Sequence, residues 1–200
     1  MTPIPAEPQH FPEILELNAR SVAVLSPLDA AGLAHLHAHA AYHKVVLVEQ
    51  QVAAFLLAFA PGAPYDSLNY QWFEANASNF LYVDRIVVAE SARGRGLASR
   101  LYRDLFAVAA AQGHACVVCE YDLDPPNPAS AAFHQHFGFI EVGTQRVARG
   151  TKRVSLQRAA VPLPRPAAGG SPARISAGLR GVERRGIRSG SGPANGGTPD

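Results

Sequence analysis

Arg93-Gly94-Arg95-Gly96 stands between an apolar run, Ile86-Val87-Val88, and a helical pattern that begins at Leu97. A helix N-terminus exposes unpaired N–H groups and the positive end of the helix dipole. Glycines let the backbone approach a ligand closely, and arginines add charge around it. These residue types at this spacing predict an anion site, with phosphate the usual anion. The stretch is not a nucleotide triphosphate loop, because Lys followed by Ser or Thr is missing. It is not the dinucleotide fingerprint either, because Gly96 is followed by Leu97 and Ala98 with no third glycine in place. The plain alternative is a tight strand-to-helix connection with exposed arginines.

Three other constellations carry chemistry-bearing side chains. Cys116-x-x-Cys119 resembles a redox pair, but residues three apart on a strand face opposite sides and cannot bond each other, so both are expected as buried apolar fill. In HLHAHAAYH, His35, His39 and His43 would share a face if one helix ran through them. No acidic residue or cysteine completes a metal set there, and HKVV already starts a strand, so no metal site is expected. Tyr65, Tyr70, Trp72 and Phe73 lie in a turn-rich stretch, residues 60–79, which reads as a long loop. They are either core fill or the wall of a substrate pocket.

The elements that must position these groups follow from the pattern. PEILELNARSVAVL reads as a helix, and Asp29 is a fair N-cap for a second. HKVVLVEQQVAAFLLAFA reads as two strands around a Glu49-Gln50-Gln51 turn, and FLYVDRIVVA as a third. LASRLYRDLFAVAAAQG is the clearest helix, with Leu97, Leu101, Leu105 and Val108 on one face and Gly113 as its stop. ACVVCEYD is a strand, ASAAFHQHFG a short helix, and FIEVGTQRV with KRVSLQR a closing hairpin. This order predicts a mixed α/β domain with its chemistry near the centre of the sheet.

The 200 residues suit one domain, and 48% hydrophobic against 17% charged suits a globular core. Two cysteines make no disulfide framework, so a reducing, cytoplasmic setting is expected. The N-terminus reads as no secretory signal, and no apolar stretch is long enough to cross a bilayer. Residues 161–200 hold six Lys/Arg against two acidic residues, leaving 12 basic and 14 acidic groups in residues 1–160. The folded part is therefore mildly acidic, and neither nucleic acid nor membrane is expected as its partner. The aromatic-free segment 161–200, rich in Pro, Gly and Arg, cannot bury enough surface to offset its ordering entropy and reads as a disordered tail. Such a tail is either an unselected extension or a basic segment touching RNA or acidic membrane.

At this point the residues resemble a family. Arg93, Gly96 and Ala98 fill the fixed positions of Q/R-x-x-G-x-G/A, the acyl-CoA pyrophosphate loop of the GNAT (Gcn5-related) N-acetyltransferases. NPASAAFHQHFGF resembles that family's later N-x-x-A-x-x-F-Y-x-x-x-G-F, with Asn127, Ser130, Phe133, Gly138 and Phe139 matching or nearly so. YDSLNYQWF, YVDRIVV and PPNPxSxxFH together resemble a bacterial subset of that family. The resemblance spans roughly residues 1–158. It implies the GNAT acyl-CoA N-acyltransferase fold, a central, mostly antiparallel, splayed sheet flanked by helices, on residues 1–160. It implies acetyl-CoA as co-substrate and no metal. The pantetheine amides would pair with Ile86, Val87 and Val88. The pyrophosphate would sit on Arg93, Gly94, Arg95, Gly96, Leu97, Ala98 and Ser99, and Asn127 would reach the pantetheine arm.

Amine acetylation needs a neutral amine, and a lysine amine titrates near about 10.4, so a proton acceptor is called for. The resemblance places it at Glu120 or at Asp84, whose alternative role is an ion pair with Arg85. The family's usual acid is a tyrosine, and His134 stands at its position, either as a substitute acid or as a packing or CoA-contacting residue. Tyr65, Tyr70, Trp72 and Phe73 would then wall the acceptor. The implied activity is acetyl transfer from acetyl-CoA to a primary amine of a small molecule or a protein N-terminus, by a monomer or homodimer. The rival is a GNAT-like fold that binds acyl-CoA without turnover.

Overall fold

The computed structural model describes residues 1–21 and 25–162. In chain order the elements are β1 (Ile4–Pro5), α1 (Phe11–Ala19), α2 (Ala30–His39), β2 (Tyr42–Val48), β3 (Gln51–Phe59) and α3 (Leu68–Asn76). Then come β4 (Phe80–Val88), α4 (Leu97–Ala111), β5 (Cys116–Asp124), α5 (Pro128–His136), β6 (Ile140–Val147) and β7 (Lys152–Ala160). The seven strands form one sheet in the order β1-β2-β3-β4-β5-β7-β6. Every neighbouring pair is antiparallel except β4 and β5. That parallel pair needs a crossover, which α4 supplies.

Local chemistry explains the element ends. Asp29 caps α2 by accepting the Gly32 N–H at 2.7 Å. Glu49 and Gln50 take positive φ of 51° and 66°, the two-residue turn that suits a twisted hairpin. At the end of α4, Gly113 N–H donates to the Ala110 carbonyl at 3.2 Å and His114 N–H to the Ala109 carbonyl at 2.8 Å. That pattern closes the helix through a left-handed glycine.

The alternation along β3 defines two layers. Ala54, Leu56 and Ala58 face α4, where Leu97, Leu101, Tyr102 and Leu105 are buried. Phe55 packs with Ile14 of α1 and Leu33 of α2, while Leu57 and Phe59 pack with Tyr70 and Phe73 of α3. Cys116 and Cys119 are free, buried and on opposite faces.

One expectation is corrected. Residues 60–79 are not one long loop, because α3 lies within them, capped by Ser67. Its inward pair, Tyr70 and Phe73, is spaced for a helix, and the polar residues between them mask the period. The histidines do not share one helix, in keeping with the strand read from HKVV: α2 ends at His39 and His43 lies on β2, its Nδ1 2.9 Å from His37 Nδ1. The expected disordered tail lies outside the described residues from 163 onward, as do Val22, Ala23 and Val24 of the first helical pattern.

Candidate active site at the split between the central strands

β4 and β5 are paired over only three rungs, Phe80 with Cys116, Leu81 with Val117 and Tyr82 with Val118. Beyond them the strands part. A cavity of about 550 Å³ opens in the gap, bounded by β4, β5, α5 and the 65–69 segment. The β4 edge from Val83 to Val88, which includes Ile86 and Val87, has no β5 partner and offers its backbone groups to the gap.

A bulge sets which side chains enter. Leu57 pairs with Arg85 and the next residue, Ala58, pairs with Val83, so Asp84 is the extra residue. The extra residue flips the alternation. Arg85 turns to the α1–α3 face, where it donates to Asn18 Oδ1 at 2.7 Å and the Ser26 carbonyl at 2.8 Å. Ile86 and Val88 turn to the α4 face.

Two carboxylates flank the gap in different states of engagement. Asp84 Oδ1 accepts from Tyr65 Oη at 2.5 Å and Oδ2 from Arg85 Nε at 3.0 Å. Burial pushes the Asp84 carboxyl up, and the Arg85 charge and the Tyr65 hydroxyl pull it back. Glu120 lies on β5, with Oε1 accepting from Tyr82 Oη at 3.1 Å. Its other oxygen is buried and has no hydrogen-bond partner. Burial lifts Glu120 to about 8, with the nearby Asn69 amide and the Tyr82 hydroxyl opposing and Asp84 adding to the rise. The lining cations Arg85 and Lys152 each stand against another carboxylate, Asp84 and Asp122 respectively.

The α4–α5 face of the gap is aromatic. His134 is 3% exposed, and both ring nitrogens are engaged. Nδ1 lies 2.8 Å from the Ser130 carbonyl, so it carries the proton and donates there; Nε2 accepts from Tyr102 Oη at 2.8 Å. Burial lowers the His134 pKa, against the Ser130 carbonyl bond, so the ring is neutral near pH 7. The Tyr121 ring stacks on His134, with centroids 5.8 Å apart and planes 20° apart.

The Gly-Arg turn stands at the α4 N-terminus. Gly94 and Gly96 hold φ of 75° and 73°, and Gly96 is the N-cap. The first amide bonded into the helix is that of Arg100, to the Gly96 carbonyl, which leaves the N–H groups of Leu97, Ala98 and Ser99 outward. A Cβ added at Gly94 or Gly96 would meet nothing within 4 Å, so the backbone there faces open space. The side chains of Arg93 and Arg95 are exposed, and Arg93 lies 3.8 Å from Glu90. This cradle fits a phosphate-bearing ligand.

The remaining candidates are dispersed. Asn127 lines the cavity, but its Oδ1 caps α5 by accepting from Ser130 N–H at 3.1 Å, leaving its amide N–H₂ to donate. Tyr65 lines the cavity. Tyr70 and Phe73 are core residues, and Trp72 packs its ring against Gly143. The sequence gives no signal for Tyr102, which reads as part of the buried α4 stripe. Nor does it single out Tyr121, which stands next to Glu120 on the other face of the strand. Among the described residues no group of His, Cys, Asp or Glu is placed to hold a metal, and no helix is long and apolar enough to cross a membrane.

Comparison with known proteins agrees with this geometry. A curated relative, phosphinothricin N-acetyltransferase from Streptomyces coelicolor, is 45% identical over 62 residues, 30% of this chain and 34% of that protein. The chain thus matches about a third of the relative's length. Among solved structures, the Escherichia coli ribosomal-protein-S18-alanine N-acetyltransferase superposes with a TM-score of 0.62 at 16% identity, over 82% of this chain and 95% of that one. Ard1 from Thermoplasma volcanium gives 0.65 at 15% identity, over 80% and 97%. Likeness at such identities is a likeness of fold. Residues 11–139 match the acetyltransferase (GNAT) family, whose members use acetyl-CoA. With well over half of its length matched, the chain belongs to the GNAT family of acetyltransferases.

Proposed function

We propose that this chain transfers an acetyl group from acetyl-CoA to a primary amine, on a small molecule or a protein N-terminus. The observation that carries the reading is the unpartnered, buried oxygen of Glu120 in the gap between β4 and β5. A buried carboxylate with one free lone-pair oxygen and a pKa raised to about 8 is matched to taking a proton from an ammonium. Acetyl-CoA, when bound, supplies the thioester. The turn Arg93–Ser99 would hold its pyrophosphate, and the open β4 edge at Ile86–Val88 and the Asn127 amide would hold its pantetheine arm. This places the donor on the α4–α5 side and the amine on the Glu120 side. Tyr65, with its hydroxyl on Asp84, borders the amine side.

Glu120 is the base in this reading, and Asp84 is a positioning residue. Both Asp84 oxygens are committed, to Tyr65 and Arg85, whereas Glu120 keeps one uncommitted. His134 is assigned a positioning role too. Both nitrogens are held by the protein and its pKa is lowered, so it carries no spare proton at neutral pH. That observation favours a second reading, an acyl-CoA-binding protein without turnover, in which the missing tyrosine marks a lost acid.

Acetyl-CoA consumption across a panel of amino acids, polyamines and peptide N-termini decides between the two. The transferase reading expects turnover whose kcat/KM rises with pH as Glu120 loses its proton, near about 8. Tight acetyl-CoA binding with no turnover on any amine would establish the second reading.

A further inference from the structure

The family's usual acid is absent from α5, yet a phenol stands beside the place where it would act. Alternation along β5 puts Glu120 on the α1–α3 face, with Leu156, and Tyr121 on the α4–α5 face, with Cys119. Tyr121 lines the same cavity as Glu120, His134 and Asn127. Its hydroxyl makes no hydrogen bond within the described residues. Its ring lies against His134, which is locked by Ser130 on one side and Tyr102 on the other.

We propose that Tyr121 is the catalytic acid that protonates the departing thiolate of CoA, with His134 as the platform that holds its ring. The inference rests on the transferase reading. In the transfer, the amine nitrogen bonds to the acetyl carbonyl carbon as the carbon–sulfur bond breaks. The electron pair of the broken bond goes to sulfur. Glu120 holds the proton lost by the amine, and Tyr121 gives its hydroxyl proton to sulfur. The nitrogen, already neutral at attack because Glu120 holds the ammonium proton, gives its second proton to the Tyr121 phenolate, and Glu120 releases its own to solvent, so ammonium and thioester give amide, thiol and one proton.

The other groups on that face do not compete. Tyr102 on α4 is fully buried, is raised well above the usual phenol by burial, and already donates to His134. Cys119 on β5 is buried and likewise raised. Across β7, Ser155 pairs with Tyr121 in register and donates to Glu141, while Gln157 donates to Ser155. Of these polar groups, Tyr121 alone has an uncommitted proton and lines the gap.

Tyr121→Phe keeps the ring and its stacking and removes only the hydroxyl. Two measurements test it. In the wild type, calorimetry should give CoA a tighter fit than desulfo-CoA by about 2- to 10-fold, the worth of one hydrogen bond to sulfur. The variant should lose that preference while binding acetyl-CoA as before. Steady-state kinetics should show kcat lowered by about 10²- to 10⁴-fold, with KM nearly unchanged. A normal kcat, or a CoA preference equal to that of the wild type, overturns the assignment. The calorimetric arm does not need turnover, so it separates failure of the acid assignment from failure of the transferase reading.

Discussion

The two halves of the β4–β5 pair differ in almost every physical respect. In the paired half, Phe80, Leu81, Tyr82, Cys116, Val117 and Val118 are all fully buried. In the parted half stand Asp84, Arg85, Glu120, Tyr121 and Asp122, three of them acidic, around a cavity. The same two strands thus hold the core together at one end and expose backbone and charge at the other. A continuous sheet would have no room for a ligand, and a sheet parted from the start would have no core. The division point is the third rung, followed at once by the Asp84 bulge.

If this division is real, substitutions in the two halves should fail in different ways. The largest effect is expected in the paired half. Phe80 is fully buried, with its ring 6.1 Å from that of Tyr70 and 6.3 Å from that of Phe73. Phe80→Ala should cost about 3–5 kcal/mol of stability, through lost burial and a cavity. Chemical denaturation measures it, and a loss below about 1 kcal/mol would mean that this end is not the structural half.

In the parted half the expected loss is of rate rather than of fold. Glu120→Gln removes the proposed base and should lower kcat by about 10²- to 10⁴-fold. Its effect on stability should have the opposite sign to that of Phe80→Ala. Burial raises the folded-state pKa of Glu120 from its ordinary 4.5 to about 8. A raised pKa means that the protonated form is favoured on folding. The stability it contributes is complete below about 4.5 and is lost as pH rises through about 8. Glutamine cannot ionise. The variant should therefore melt like the wild type at pH near 5 and higher than it at pH near 9. A variant that melts like the wild type at both pH values would show that the Glu120 carboxylate is well solvated.

This contrast also explains what the sequence made legible. The α4 stripe, the Gly-Arg turn, the hairpins and the strand carrying Glu120 all follow from periods and turn residues that act locally. The candidates Glu120 and Asp84 came from the family resemblance, set on strands that the local pattern had located. The bulge was not legible, because one extra residue in Val83-Asp84-Arg85 leaves no compositional trace and depends on how β3 pairs with it. The split was accessible only through family resemblance, since rungs between β4 and β5 are long-range. The commitment of His134 could not be read either: its partners are Tyr102, 32 positions away, and a backbone carbonyl. Tyr70 and Phe73 declared their aromaticity but not their address, which tertiary packing in the α3 layer decides.

The smallest effect, and the sharpest test of where the ligand lies, compares the two ends of α4. Gly96 at its start and Gly113 just past its end have nearly the same backbone, with φ of 73° and 77°. At both, an added Cβ meets nothing within 4 Å. Alanine at either position should therefore cost a similar about 1–2 kcal/mol, because a left-handed conformation strains any residue with a Cβ. Their effects on binding should differ. At Gly96 the methyl group occupies the open space beside the outward N–H groups of Leu97, Ala98 and Ser99, where the pyrophosphate is proposed to sit. Gly96→Ala should then weaken CoA at least about tenfold, the worth of one hydrogen bond to a charged group. Gly113→Ala should leave CoA affinity as it is, since its own N–H and that of His114 are spent inside the helix end. Calorimetry on the pair reads both quantities against matched stability losses. Equal CoA affinities in the two variants would remove the pyrophosphate from the α4 N-terminus, and with it the donor side of the proposed gap.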